Sequence, residues 1–321
     1  MKYRIQFNKP KKINTLIYYS FEENDQYLEK ILKTNYYLYK GKYEINIYTI
    51  IFTFLNSGFK KFKQNYFYNY IKFLNPKIAI TFNDLNKKFY ELKNVDKKIK
   101  LVSIQNALRF EEHYKNWKKE KADFFFSFSK QDSKFISKFI DAKFEEIGSF
   151  RNNFFKNTEL EKKSIIFVSV YKPNHGKISP GERKLLKYLE KFCMKYNYEL
   201  NIFGRQKYDY KTIGEYKNLI KGVNCKFINN DLPYYSIYKL YDLFDLFIFE
   251  RSTAAYETIA AGKKTLVFNF YNEDKKWYQS HNMTDNFPHT DLNPTEGPFW
   301  SHECEYSQFE SKTLNIINMK Q

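Results

Sequence analysis

Between Leu243 and Phe268 an apolar stretch runs into Arg251-Ser252-Thr253, then into a small-residue helix that stops at Gly262, and a second apolar stretch follows at once. This strand–helix–strand order belongs to an α/β sheet. At the start of the helix, backbone N–H groups and the hydroxyls of Ser252 and Thr253 stand just beyond the carboxyl end of a strand. Such a place suits a phosphate. Glu257 follows Thr253 at i+4, one turn further in, where a carboxylate can accept hydrogen bonds from a ribose. A plainer reading stays open beside it: Ser252 or Thr253 caps the helix and Glu257 complements its dipole.

The same alternation extends over the whole chain. In the first half, strands are expected at Asn14–Tyr19, Lys77–Phe82, Lys100–Gln105, Asp123–Phe128 and Lys143–Ile147, with helices at Asp25–Lys33, Phe59–Leu74 and Gln131–Ile140. Each strand is a short apolar run bounded by polar residues, the pattern of a buried parallel sheet. The polar, aperiodic segment from Gly148 to Lys163 reads as an interdomain linker. Beyond it strands at Ser164–Val170, Glu199–Phe203, Cys225–Ile228, Leu243–Phe249 and Lys264–Phe268 alternate with helices at Glu182–Tyr196, Tyr210–Ile220, Tyr234–Tyr241 and Thr253–Ala261. A closing helix over Gln308–Asn318 is placed to pack back on the first domain. The fold class is therefore α/β, with two Rossmann-like doubly wound domains, 1–149 and 150–321, facing a cleft.

At 321 residues with 43% hydrophobic and 20% aromatic content, the chain can build two cores and is not disordered. It has no apolar run of 18 residues, so a spanning helix is not expected. The segment Met1-Lys2-Tyr3-Arg4-Ile5 lacks a signal core, and Cys193, Cys225 and Cys304 lack metal spacing and cannot all pair. A cytoplasmic location is the expectation. The net charge of +18 is almost all lysine, with Arg4, Arg109, Arg151, Arg183, Arg205 and Arg251 the only arginines. Together with abundant Asn, Ile, Phe and Tyr, this is what an A+T-rich coding sequence produces. A basic surface would also bring such a protein to the anionic inner face of a membrane.

Ligands of open α/β sheets bind beyond the carboxyl ends of the strands. There the first half offers Asn83-Asp84 and Gln105-Asn106 with Arg109, and the second offers Gly204-Arg205 and Arg251-Ser252-Thr253. Three of the six arginines fall at such ends, which suits bidentate recognition of phosphate or carboxylate. Asp84 follows its strand directly and is a candidate general base or, equally, a helix cap. No P-loop, GxGxxG, HExxH or GxSxG pattern is present. His281, His289, His302 and Cys304 cluster without the spacing of a metal site.

The second half resembles the donor-binding half of GT-B glycosyltransferases. Several phrases, in consistent order, also resemble a bacterial surface-carbohydrate (lipopolysaccharide or capsule) biosynthesis family. They are Ile80-Thr81-Phe82-Asn83-Asp84, Ser103-Ile104-Gln105-Asn106-Ala107-Leu108-Arg109, Ile147-Gly148-Ser149-Phe150-Arg151-Asn152-Asn153, Ser252-Thr253-Ala254-Ala255-Tyr256-Glu257 and Gly297-Pro298-Phe299-Trp300. Ala107 stands where the resemblance leads one to expect glycine. The resemblance implies a nucleotide-sugar donor as substrate, no metal or other cofactor, and a carbohydrate or lipid-linked glycan acceptor held by the first domain. Gly204, Arg205, Arg251, Ser252, Thr253, Tyr256 and Glu257 would then bind donor, with Arg205 also catalytic by neutralising the departing phosphate. Asn83, Asp84, Gln105, Asn106 and Arg109 would line the acceptor side, Asp84 taking the acceptor proton. Two other readings are a non-hydrolysing sugar-nucleotide epimerase, which shares this architecture, and a basic nucleic-acid-binding protein. Against the latter, the aromatics are spread through strands and helices and no nucleic-acid-binding module appears, so no nucleic-acid partner is expected.

Overall fold

The computed structural model describes residues 4–18, 28, 32, 36–39, 44–59, 62–150, 152, 164–170, 178–204, 210–228, 236–250, 252–280 and 296–319. The chain divides into two compact units, Met1–Arg151 and Asn152–Gln321.

The first unit contains, in chain order, β1 (Arg4–Gln6), β2 (Thr15–Tyr18), β3 (Tyr36–Tyr39), β4 (Glu44–Asn46), α1 (Ile47–Ser57), α2 (Phe62–Leu74) and β5 (Ile78–Thr81). There follow α3 (Lys87–Tyr90), α4 (Leu92–Val95), β6 (Lys100–Ile104), β7 (Glu120–Ser127), α5 (Lys130–Ile136) and β8 (Ile140–Glu146). Six strands form a parallel sheet in the order β3-β2-β5-β6-β7-β8. Leu16, Ala79 and Leu101 face one apolar layer, while Ile17, Phe82 and Ile104 face another. Helices on both faces explain why these strands read as continuous apolar runs. β1 and β4 pair with each other in a separate two-stranded parallel sheet.

The second unit runs β9 (Ser164–Ser169), α6 (Pro180–Tyr196), β10 (Glu199–Gly204), α7 (Tyr210–Leu219), β11 (Cys225–Ile228), α8 (Ser236–Leu240), β12 (Leu246–Phe249) and α9 (Thr253–Ala260). It closes with β13 (Thr265–Asn269), α10 (Tyr271–Ser280), β14 (Glu296–Gly297), β15 (Trp300–His302) and α11 (Tyr306–Asn318). Its sheet has the order β11-β10-β9-β12-β13-β15-β14, parallel except for the β14–β15 hairpin. Ile165, Phe167, Leu246 and Ile248 point into one core layer, and Ile166, Val168, Phe247 and Phe249 into the other. α6 shows why its sequence is helical. Ser179 caps it, Pro180 occupies the first turn, and Leu185, Leu186, Leu189, Phe192 and Cys193 form its buried stripe. The helix stops at Asn197, whose φ of 55° is left-handed.

Most expected elements are present with shifted ends. The helix placed at Gln131–Ile140 stops at Ile136, because Ile140 already opens β8. β7 begins at Glu120, three residues early. β3, α1, α10 and the β14–β15 hairpin lie outside the sequence-based assignment. The helix expected at Asp25–Lys33 lies almost wholly outside the described residues. α11 uses its apolar face within the second unit, where Phe309 and Ile316 join the core of Ile165 and Phe268.

One surface-facing ion pair in the first unit gives a pH-dependent prediction. Asp123 lies 2.6 Å from Lys93 Nζ and 3.0 Å from Lys100 Nζ, and accepts from the Leu101 N–H at 2.8 Å. Burial acts to raise its pKa, but the Lys93 contact, the Leu101 amide and Lys100 together hold it below the ordinary value. Stability from such a group is present above its unfolded pKa of about 4 and is lost as pH falls through the lower folded value. Asp123→Asn is therefore expected to cost about 1 kcal/mol at neutral pH. The difference should close in acid, as read by urea titrations across pH; a constant difference would show that the charge is not involved.

Candidate functional site

In the second unit the order of strands reverses between β9 and β12: β10 lies beside β9 on one side, and β13 beside β12 on the other. Phe249 pairs with Val168, so Glu250 and Ser169 end their strands side by side. α9 starts at this point. Ser252 is its N-cap, in extended conformation, and accepts from the Ala254 N–H at 3.1 Å. The capping reading is thus realised, and it leaves the Ser252 hydroxyl proton to donate. Ser252, Thr253 and Tyr256 are half-buried, so this helix start reaches the surface.

Glu257 is turned inward and is only 4% exposed. The hydroxyl of Tyr238, on α8, donates to its carboxylate, and Asn152 Nδ2 donates to its backbone carbonyl at 2.6 Å. The carboxylate is therefore held in one orientation, a turn inside the helix start. Arg205 and Arg251 lie outside the described residues, while Gly204 is buried at the end of β10.

The start of α6, beside the same strand ends, is organised differently. Asp274 of α10 is fully buried and accepts from the Gly181 N–H at 2.7 Å and from the Ser179 hydroxyl at 3.1 Å. Glu182 accepts from the Ser169 and Tyr216 hydroxyls, both at 2.6 Å. Glu250 is also fully buried. A Cβ on residue 181 would lie 2.6 Å from Glu250 Oε1 and 3.0 Å from Asp274 Oδ2, so any larger residue would displace these carboxyls. Sequence reasoning missed Tyr238, Asn152, Glu182, Glu250 and Asp274 as parts of the site. Ser179-Pro180-Gly181-Glu182 carried a helix-start signature that could have pointed to Glu182. Nothing in the sequence marks Tyr238.

In the first unit the corresponding reversal is between β2 and β5, and the loop leaving β5 carries Asn83 and Asp84. Asn83 is half-buried, its N–H donating to Thr81 Oγ1 at 3.0 Å. Asp84 is fully buried. Arg109 grips it with two hydrogen bonds, Nε to Oδ2 at 2.6 Å and Nη2 to Oδ1, and the Asn106 N–H reaches Oδ1 at 3.3 Å. Burial acts to lower the Arg109 pKa, but Asp84 overrides it and holds the guanidinium above its ordinary value. Arg109 does make a two-point contact, but with this protein's own carboxylate, and not with the ligand phosphate or carboxylate expected from sequence. The Asp84 carboxylate, expected from sequence as a general base, is thus enclosed by donors of this protein in this conformation. Gln105 likewise ties strand ends together, accepting from the Phe128 N–H at 2.8 Å and donating to Asp132 at 3.0 Å. Ala107 does not adopt positive φ, so the turn after Asn106 accommodates alanine where glycine was expected. His113, half-buried beside this pair, accepts from the Phe110 N–H through Nδ1 at 3.1 Å. Burial, and then the Arg109 charge, push its pKa down.

Residues 102–321 match a family model described as "putative O-antigen biosynthesis protein". Among curated proteins none matches significantly. Among solved structures, UDP-GlcNAc 2-epimerase from Methanocaldococcus jannaschii is similar at a TM-score of 0.53 and 9% identity, over 96% of this chain and 93% of that one. A "putative UDP-N-acetylglucosamine 2-epimerase" from Listeria monocytogenes gives 0.52 and 11%, over 97% and 89%. MurG from Acinetobacter baumannii gives 0.48 and 10%, over 96% and 91%. At such identities the likeness is one of fold: α/β, with two Rossmann-like units of the GT-B type.

Proposed function

The chain belongs to the O-antigen biosynthesis protein family, and from that premise we propose that it transfers a sugar from a nucleotide-sugar donor to a surface-polysaccharide or lipopolysaccharide acceptor. The observation that carries this reading is the start of α9. A surface-reaching helix N-terminus with two hydroxyls stands at the strand-order reversal, and the carboxylate of Glu257 is fixed one turn inside it. Phosphates would be held by Ser252, Thr253 and the helix amides, and the ribose by Glu257, with Tyr256 and Gly204 beside them. Breaking the bond between sugar and nucleotide leaves negative charge on the departing phosphate. In this reading Arg205 and Arg251 neutralise it without a resident metal, the kind of electrostatic stabilisation that dominates many transfers. On the acceptor side, Asn83 and Asn106 would present the glycan or lipid-linked glycan, on strand ends that Gln105 holds together. Asp84 acts through Arg109, shaping that surface instead of accepting a proton.

Epimerisation of the nucleotide sugar is the second reading. Its support is that two solved structures similar at TM-scores above 0.5 bear that activity in their names. Incubation of UDP-N-acetylglucosamine and other nucleotide sugars in deuterated water, with no acceptor, separates the two. The expected result is binding, slow hydrolysis and no label at the sugar's C2. Incorporation of deuterium with inversion there would overturn the transferase assignment, and a failure to bind any nucleotide would overturn both.

A further inference from the structure

α1 is built inside out. Its buried residues are Thr49 and Thr53, each with no exposed surface. Thr49 donates its N–H and its hydroxyl to the capping Asn46, both at 2.8 Å, and Asn69 of α2 donates to the Thr53 hydroxyl oxygen at 3.0 Å. Outward stand Tyr48, Ile51, Phe54 and Leu55, continued past the helix by Phe59, with Leu55 77% and Phe59 83% exposed. A helix folded only for water would carry the opposite arrangement. α1 packs against β1 and β4, and β1 with the residue after it adds exposed Ile5 and Phe7 to the same unit. A helix that turns its large apolar residues outward and its threonines inward presents a docking face.

Charge identifies the partner. From Met1 to Phe21 and from Ile45 to Asn83 the sequence holds no aspartate or glutamate, and each stretch holds five lysines or arginines. Lys9 lies 5.3 Å from the centre of the Phe73 ring, which itself touches Tyr48 and Phe52 of α1. Lys11, Lys12, Lys63 and Lys72 are exposed around the same layer. We infer that this face docks on an anionic lipid surface. α1 lies in the plane of the interface, with Ile51, Leu55 and Phe59 among the acyl chains and the lysines at the headgroup phosphates. Its 11 residues are too few to cross a bilayer. A second copy is a poor occupant, because a two-fold contact would set this strongly basic layer, in which Glu44 of β4 is the acidic exception, against itself. The inference does not depend on which reaction the strand ends perform.

The test is co-sedimentation with vesicles of phosphatidylglycerol and phosphatidylcholine in equal parts, compared with phosphatidylcholine alone. Wild type is expected to partition onto the anionic vesicles at low salt, and to leave them at about 0.5 M salt. In Leu55→Asp/Phe59→Asp, both at exposed positions, partitioning should fall at least about tenfold while the melting temperature is unchanged. Wild type remaining in solution at low salt would overturn the proposal, as would equal partitioning of the variant or equal binding to the neutral vesicles. So would a wild-type dimer that the double variant abolishes, with neither protein binding vesicles.

Discussion

Arg109→Ala is expected to lower the stability of the first unit by about 3–5 kcal/mol, the usual cost of leaving one member of a buried ion pair without its partner. The residue left behind is Asp84, fully buried and gripped through both oxygens. Asp84→Asn/Arg109→Leu should recover much of that loss, since no uncompensated charge then remains. Guanidinium titrations of the single and double variants measure both. A loss below about 1 kcal/mol for the single variant would place the pair in a solvated setting. The same residues decide Asp84's role in turnover. If it acts by position, Asp84→Asn loses activity in step with its loss of structure. A stable, well-folded Asp84→Asn protein with no turnover would reinstate it as the acceptor's base.

Glu257→Gln should weaken binding of the nucleoside diphosphate by about 10- to 100-fold, the value of a hydrogen bond to a charged group expressed as affinity. Tyr238→Phe removes the hydroxyl that orients the carboxylate, and is expected to cause a smaller loss in the same direction. Isothermal titration with UDP, GDP, ADP and CDP reads these losses and identifies the base. Unchanged affinity in Glu257→Gln, with the wild-type protein binding, would remove the ribose contact while leaving the phosphate site standing.

The second unit was the more legible in sequence. Its strands are buried on both faces, so Ser164–Ser169 and Leu246–Phe249 appear as unbroken apolar runs with polar ends. α1 stayed unassigned for the opposite reason. Its outward residues are apolar and its buried ones are threonines, so periodicity pointed nowhere familiar. β3 is half-buried throughout, and the β14–β15 hairpin is too short to leave a pattern. Of the candidate site, Ser252 and Glu257 were identifiable because the order strand–hydroxyl–helix is local. Long-range partners were not. Tyr238 meets Glu257 across 19 residues, and Asp274 meets Gly181 across 93. Asp84 and Arg109 were each singled out as ligand-facing, but only the tertiary structure shows that they face each other.

The Asp274 contact carries a further consequence for how an incoming polyanion would sort itself. Two helix starts flank the strand-order reversal, and either would ordinarily attract diphosphate. The Asp274 carboxyl is already seated at one of them, accepting from the Gly181 amide from inside the protein. On the proposed reading, a visiting diphosphate would find that amide taken and the start of α9 open, so the choice of helix, and with it the direction of the nucleotide, would be made before one arrives.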